Sequence, residues 1–501
     1  MSYFSTRGNE CVTASQAILA GMAKDGGLYV PAMFPRIPME DIEKMISMSY
    51  EERAFRVLSD YLEDYPAQEI RDSIHAAYGD GHFHDPKVAP VRKLDDTTHV
   101  LELFHGPTLA FKDMALQLLP QLMTRSARMN GENREIAILV ATSGDTGKAA
   151  LEGFRNVPGT SCTVFYPLDG VSEVQQLQMT TTDGNNTHVI AVKGNFDDAQ
   201  TGVKSLFASR AFAEDMNGMG RVLSSANSIN FGRLVPQIVY YFSAYADLLA
   251  SGAISSGESV NFVVPTGNFG DILAGYYARN MGLPINKLIC ASNRNDVLTE
   301  FFASGIYSVH RMFYKTMSPS MDILVSSNLE RLLFESADRD GELIKVWMQQ
   351  LKECGSYSIG DQRREWMESM FAAGCSDDGE TTEEIRDIFT QYEYLMDPHT
   401  AVASKVLRDY RLKTGDDKVT VTVSTASPYK FAPSVAAALQ GKNAVKHLDA
   451  FACAQILNSV SGRPIPPQVE KLKDLPVRHT AVCENNVESM GNAVKAAFGR
   501  A

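Results

Sequence analysis

The sequence predicts an α/β fold built on doubly wound parallel sheets, and three strand–loop–helix segments carry that expectation. "REIAILVATSGDTGKAALEGFRNVPGTSCTVFYP" (residues 134–167) reads as an apolar strand, a small-residue loop, a helix with Leu151 and Phe154 on one face, and a second strand. "SVNFVVPTGNFGDILAGYYARNMGLPINKLICAS" (259–292) repeats the pattern, and "KVTVTVSTASPYKFAPSVAAAL" (418–439) supplies a third strand, loop and helix. Continuously apolar strands alternating with helices belong to a parallel sheet covered on both faces. Ligands of such sheets sit beyond the carboxyl ends of the strands. The loops "TSGDTG" (142–147), "TGNFG" (266–270) and "STASP" (424–428) are therefore the places to look for a site.

The remaining elements follow from length and punctuation. At 501 residues the chain is expected to hold two or three domains. Residues 1–92 read as a mixed α+β unit ending in the loop "GDGHFHDPKVAPV", and residues 93–501 carry the strand–loop–helix grammar. Within the latter, a smaller subdomain is expected over about 105–235, with the larger subdomain taking the remainder. Residues 333–394 are rich in Glu, Arg and Met, helical in period and without a clear strand, so they read as a helical insertion.

Composition narrows the function classes. Lys and Arg number 47 against 60 Asp and Glu, a formal charge of −13, and no basic run compensates it. Nucleic acid and anionic membrane surfaces are therefore poor partners, and an anionic small molecule would need locally placed cations or backbone amides. The longest apolar runs, such as "IAILVA" (136–141), are strand-length, and "MSYFSTRGNE" has neither a basic nor an apolar signal region. Seven cysteines without a CxxC pair point to reduced thiols and a cytoplasmic protein. No metal site is expected: "HFHD" (82–85) is a lone HxH in a polar loop.

Four stretches hold candidate chemistry. Gly267 and Gly270, with Asn268 and Phe269 between them, follow a strand and open a helix, where unpaired N–H groups form an anion cradle; a tight turn that needs glycine is the ordinary alternative. "KGNFDD" (193–198) shares Gly-Asn-Phe but places carboxylates where a phosphate would sit, so it satisfies its own helix end. "ATSGDTGKAA" (141–150) superficially resembles a P-loop, yet Thr142 replaces the first glycine and Ala149 the hydroxyl residue. What remains is a loop whose Ser143, Asp145 and Thr146 either hold a carboxylate or cap a helix. "SSANSINFGRLVPQ" (224–237) offers Asn227, Ser228 and Arg233 for a second anion, unless Arg233 is an ordinary ion-pair residue. Finally, "FHGPTLAFKDMALQLLP" (104–120) sets Lys112 among aromatic and apolar neighbours. Its stem either snorkels to water or its amine is kept neutral and nucleophilic by desolvation.

Together these motifs resemble the threonine synthase family. "HGPTLAFKDMALQ" is similar to its cofactor-lysine motif, and "TSGDTG", "NSIN..R", "PTGNFGD" and "STA.P.KF" follow in the family's order. The N-terminal "YFSTRG" and "KDGGLYVP" extend the resemblance over nearly the whole chain, closest to the longer form with extra helices. It implies fold type II of the pyridoxal-phosphate enzymes: two doubly wound parallel-sheet domains, an N-terminal α+β domain and a helical insertion. It further implies that Lys112 carries pyridoxal 5'-phosphate covalently, that Gly267, Asn268, Phe269 and Gly270 bind its phosphate, and that Thr425 faces its pyridine nitrogen. Ser143 and Thr146 would hold the carboxylate of O-phospho-L-homoserine, with Asp145 counted among the substrate-binding residues, and Asn227, Ser228 and Arg233 would hold its phosphate. The products would be L-threonine and phosphate. Asp145 and Ser427 with Tyr429 depart from the residues usual in relatives. A serine or threonine dehydratase, which needs no second anion site, and a non-catalytic cofactor-binding homologue are the alternatives. A monomer is the expected state, a dimer the other option.

Overall fold

The computed structural model describes residues 1–79, 81–142 and 144–499, so Ser143, a candidate carboxylate contact, lies outside the described residues. The larger sheet has six strands in the order Phe371–Cys375, Ile285–Ser292, Val260–Pro265, Thr420–Ser424, Thr98–Glu102 and Val91–Lys93. Its first five strands run parallel, and only Val91–Lys93 is antiparallel. The smaller sheet has five parallel strands in the order Ala481–Glu484, Thr187–Lys193, Thr160–Pro167, Glu135–Ala141 and Arg221–Ser224. Every residue of the strands Thr160–Pro167 and Val260–Pro265 is buried, as in a parallel sheet covered on both faces.

Two features differ from the sequence reading. The segment 333–394 is not purely helical: Phe371–Cys375 forms the edge strand of the larger sheet, in parallel register with Leu288–Ser292. Its residues, Phe-Ala-Ala-Gly-Cys, include no β-branched side chain and no alternation, so neither propensity nor period marks them. The smaller sheet is not confined to 105–235 either. The strand Ala481–Glu484 completes its edge, and the helix Val487–Phe498 contributes Met490, Val494 and Phe498 to its core.

The N-terminal unit is a three-stranded antiparallel sheet, order Cys11–Val12, Tyr3–Ser5, Tyr29–Pro31, followed by helices. Thr13 and Ser49 each open a helix with a capping box, pairing with Gln16 and Glu52. This unit packs on the helix Phe231–Ala250, whose side chains are buried on all sides, as an all-round apolar helix must be. Arg53 donates to Ser243 Oγ and to Asp247 Oδ1, both at 2.8 Å, and Tyr3 meets Phe231 edge-on at 4.7 Å. The first turn of this helix, which bears Arg233, is therefore a fixed platform.

Candidate active site

Lys112 opens the short helix Lys112–Leu116, and the turn before it is pinned from several sides. Buried Asp113 accepts from the Thr108 amide at 2.8 Å and the Thr108 hydroxyl at 2.7 Å. Phe111 N–H donates to the Thr425 carbonyl at 2.8 Å, and Ser427 N–H to the Leu109 carbonyl at 3.0 Å. Leu109 is held left-handed (φ 59°), a conformation an L side chain adopts only when its surroundings enforce it. The lysine is thus mounted on the carboxyl end of the strand Thr420–Ser424, one residue from buried Thr425.

Electrostatics favour a neutral amine. The Lys112 ammonium is pushed down to about 8, first by burial; Asp145 opposes the shift, while Lys430 and Arg233 reinforce it. Its Nζ lies 4.7 Å from the Phe111 ring centroid and 3.5 Å from Ser320 Oγ. The side chain is half-buried, and desolvation and the neighbouring cations disfavour its ammonium.

Asp145, counted among the substrate-binding residues by resemblance, forms an ion pair with Lys430 (2.8 Å), both side chains being almost fully buried. Gln175 Nε2 donates to the same oxygen at 3.1 Å, and Ser320 Oγ to the other at 3.4 Å. Burial alone would raise its pKa, but Lys430 and Lys112 hold the carboxyl well below the usual range. The carboxylate neutralises Lys430 and opposes the lowering of the Lys112 pKa. Lys430 itself stands in the loop after the third strand and escaped the sequence reading; it also donates to the Thr108 carbonyl at 2.9 Å, binding the two lysine-bearing segments together.

The glycine loop has the form of a cradle. Phe269 is left-handed (φ 62°), and its ring packs in the core against Phe302 and Phe371, so it can offer a ligand only its amide. The first intrahelical bond runs from Leu273 N–H to the Phe269 carbonyl at 3.2 Å. The amides of Gly270, Asp271 and Ile272 are therefore free of helical partners. A Cβ on Gly267 would stand 2.7 Å from the Ser320 carbonyl oxygen. That contact belongs to a segment missed by sequence reasoning, residues 318–328, which clamps the cradle: Ser326 Oγ donates to the Gly267 carbonyl at 2.8 Å and Asn328 N–H to the Asn268 carbonyl at 3.0 Å. Asn293, just after a strand end, holds this segment through Asp322 (2.7 Å) and the Ser318 carbonyl (3.2 Å). The only sequence signal was this scatter of Asn, Ser and Asp residues. By contrast, "KGNFDD" closes on itself, with Asn195 and Asp198 in a capping box.

In the loop "TSGDTG", Gly144 takes φ 145°, and a Cβ there would meet Gln175 Nε2 at 2.3 Å. Thr142 Oγ1 accepts the amides of Gly144 (2.9 Å) and Gly147 (3.0 Å), a capping role for which Thr142 was not a candidate. Thr146 is half-buried in the first turn of the helix Asp145–Phe154. Asn227 and Ser228 are half-buried in the loop before the helix Phe231–Ala250. Ser228 Oγ lies 3.4 Å from Ser327 Oγ, which donates to Asn268 Oδ1 at 3.3 Å, so this loop and the cradle are contiguous.

Arg233 is 4% exposed. Its Nη1 donates to the Ala226 carbonyl at 2.6 Å, while its buried Nε has no partner among the described residues. Burial lowers its pKa to about 10, and no carboxylate acts against that shift. A buried guanidinium without a counter-ion calls for an anion from outside the fold. Arg331, wholly buried, joins the N-terminal unit to both loops by donating to the carbonyls of Tyr29 (3.0 Å) and Ile229 (2.6 Å) and to Asn328 Oδ1 (2.5 Å).

Comparison with known proteins agrees with this geometry. Residues 2–78 match the family described as "Threonine synthase N terminus", and residues 400–494 the one described as "Threonine synthase, C-terminal". The threonine synthase of Pseudomonas aeruginosa is 43% identical over 437 residues, covering 87% of this chain and 90% of that one. A crystal structure of pyridoxal-phosphate-bound threonine synthase from Brucella melitensis superposes with a TM-score of 0.88 at 39% identity, covering 99% of both chains. That of the yeast threonine synthase gives 0.88 at 34% identity, covering 100% of this chain and 99% of that one.

Proposed function

The chain belongs to the threonine synthase family, and from that membership and the geometry of the cleft we propose that it converts O-phospho-L-homoserine and water into L-threonine and phosphate with pyridoxal 5'-phosphate as cofactor. Several observations fit that cofactor: an amine of lowered pKa on Lys112, a cradle of free amides at Gly270 to Ile272 closed to any side chain at Gly267, and buried Thr425 bonded to the lysine's neighbour. In this reading Lys112 carries the cofactor, the segment Gly267–Gly270 binds its phosphate, and the Thr425 hydroxyl meets its pyridine nitrogen. When bound, pyridoxal phosphate withdraws electrons from the substrate's α-carbon. A neutral hydroxyl partner at the ring suits elimination better than transamination.

The protein's own groups perform the rest. Lys112 Nζ, whose pKa of about 8 makes the neutral amine far more accessible near pH 7 than for an ordinary lysine, takes the proton from Cα and moves protons at Cβ. The loop containing Thr146 holds the substrate carboxylate through hydroxyls and amides, and Ser143 is assigned to the same contact. Arg233, with Asn227 and Ser228, binds the γ-phosphate and receives it as it leaves; water then adds at Cβ. The observation that carries this reading over a dehydratase is Arg233, a buried cation with no carboxylate of its own. We place the reaction in the cytoplasm, which seven free cysteines support.

The test is product analysis. Purified protein with pyridoxal phosphate should show a borohydride-reducible link at Lys112 and release phosphate and L-threonine in equal amounts from phosphohomoserine. Preferential deamination of threonine or serine would overturn the reading in favour of a dehydratase.

A further inference from the structure

The hydroxyl facing the amine of Lys112 belongs to none of the motif loops. Ser320 Oγ lies 3.5 Å from Lys112 Nζ and 3.4 Å from Asp145 Oδ2. We propose that Ser320 is a further catalytic residue, which accepts and orients the free Lys112 amine, and that His399 with Asp397 is the pair that positions it. This rests on the assignment of Lys112 as the cofactor-bearing residue.

The direction of each hydrogen bond follows from what its partner can do. Asp145 is ionised beside Lys430, so it can only accept, and the single proton of Ser320 goes to it. The serine oxygen is then left as an acceptor for an N–H of Lys112. A neutral amine held by its N–H keeps its lone pair free, whereas a hydroxyl donating to nitrogen would occupy that lone pair. The order Lys112, Ser320, Asp145 thus aims the amine without quenching it.

Ser320 is held by its backbone. Its amide donates to His399 Nε2 at 3.2 Å, so that nitrogen is unprotonated and the ring proton sits on Nδ1, which donates to Asp397 Oδ1 at 2.8 Å. Asp397 is fully buried and caps the helix Pro398–Thr414, accepting from the amide of His399 at 2.9 Å and from the Thr400 hydroxyl. Thr400 Oγ1 lies 2.9 Å from Ser424 Oγ, the residue before Thr425. The pair therefore refers Ser320 to the same strand end that mounts Lys112. The Ser320 carbonyl meanwhile occupies the space beside Gly267. One residue in this way touches the amine, its counter-ion and the phosphate cradle.

The test mixes cofactor-free protein with pyridoxal phosphate, traps the link at Lys112 with borohydride at timed intervals, and measures kcat and KM on the loaded enzyme. Ser320→Ala is expected to slow link formation and lower kcat by roughly ten- to hundredfold, the scale of a lost hydrogen bond at a reacting amine, with KM changed less than about threefold. Ser320→Thr keeps the hydroxyl and should recover most of both. His399→Leu should be as slow as Ser320→Ala, while His399→Gln, whose carbonyl can accept the Ser320 amide and whose NH2 can donate to Asp397, should be faster than His399→Leu. Thermal midpoints are recorded for all four, and a variant that unfolds early is replaced by its conservative partner. Ser320→Ala linking and turning over at the wild-type rate refutes the serine's role, and His399→Leu doing so refutes the positioning pair. A wild type that forms no link at Lys112 refutes the cofactor assignment itself, a distinct result.

Discussion

Replacing Lys112 with methionine should stabilise the cofactor-free protein at neutral pH while abolishing its function. The folded-state pKa of Lys112 is about 8 against an ordinary 10.5, and burial is the leading cause. The gap, 10.5 − 8 = 2.5 units, corresponds to about 3 kcal/mol at ~1.36 kcal/mol per unit. Solvent reaching the half-buried side chain makes this an upper bound. The sign is fixed by linkage: the unfolded chain binds the proton more tightly, so the penalty is complete below pH 8, shrinks between 8 and 10.5, and vanishes above. Methionine has a similar length and no charge, so it removes that penalty. Urea denaturation of the two cofactor-free proteins should therefore show Lys112→Met more stable by up to about 3 kcal/mol at pH 7, and by about 1 kcal/mol or less at pH 10.5. A variant that is less stable than wild type, or a difference independent of pH, would refute the claim that Lys112 is held desolvated for chemistry. The same variant should form no borohydride-reducible link to pyridoxal phosphate.

Three further perturbations probe separate parts of the site. Lys430→Met leaves Asp145 buried without its partner and should cost about 3–5 kcal/mol in urea melts, and adding Asp145→Leu should restore more than half; equal losses in single and double variants would exclude the pair as the cause. Gly267→Ala drives a methyl group to 2.7 Å from the Ser320 carbonyl, so titration with pyridoxal phosphate should show affinity reduced by roughly tenfold or more, and unchanged affinity would remove that glycine from the cradle. Arg233→Ala should lower kcat/KM for phosphohomoserine by roughly ten- to two-hundredfold and barely alter any slow dehydration of serine; equal losses on both would make Arg233 structural.

Much of this site was legible in the sequence because its loops follow buried parallel strands, whose apolar runs are unmistakable and whose ends mark where ligands lie. Gly267, Gly270 and the loop holding Thr425 were reached in that way, Lys112 through its apolar neighbours and Arg233 through its grouping with Asn227 and Ser228. The pairing of Asp145 with Lys430 was not visible, because Lys430 lies 285 residues further along the chain. A buried ion pair has no local spacing to reveal it. Ser320, Asn328 and His399 were missed for a related reason: backbone amides and carbonyls hold them in place, and such contacts leave little mark on side-chain pattern. The edge strand Phe371–Cys375 was overlooked because pairing with a neighbour, not propensity, makes it a strand.

Several features that weaken this fold meet at the cleft, and their meeting there is itself an argument about function. Arg233 lies buried with an unpartnered Nε, Lys112 is held where an ammonium is unfavourable, and Leu109 and Phe269 take left-handed conformations beside them. Asp271, in the first turn above the cradle, is raised to about 6 by burial against the opposing hydroxyls of Tyr240 and Tyr241, and its Oδ2 has no partner among the described residues. Each departure destabilises the ligand-free protein, and such departures persist where function requires them. Two would be relieved by the ligands inferred here: a phosphate would supply the counter-ion Arg233 lacks, and covalent attachment of a cofactor would replace the ammonium that Lys112 holds unfavourably. Binding should therefore return stability that the empty cleft withholds, and the linked protein should resist unfolding more than its cofactor-free form by a margin that Lys112→Met cannot show.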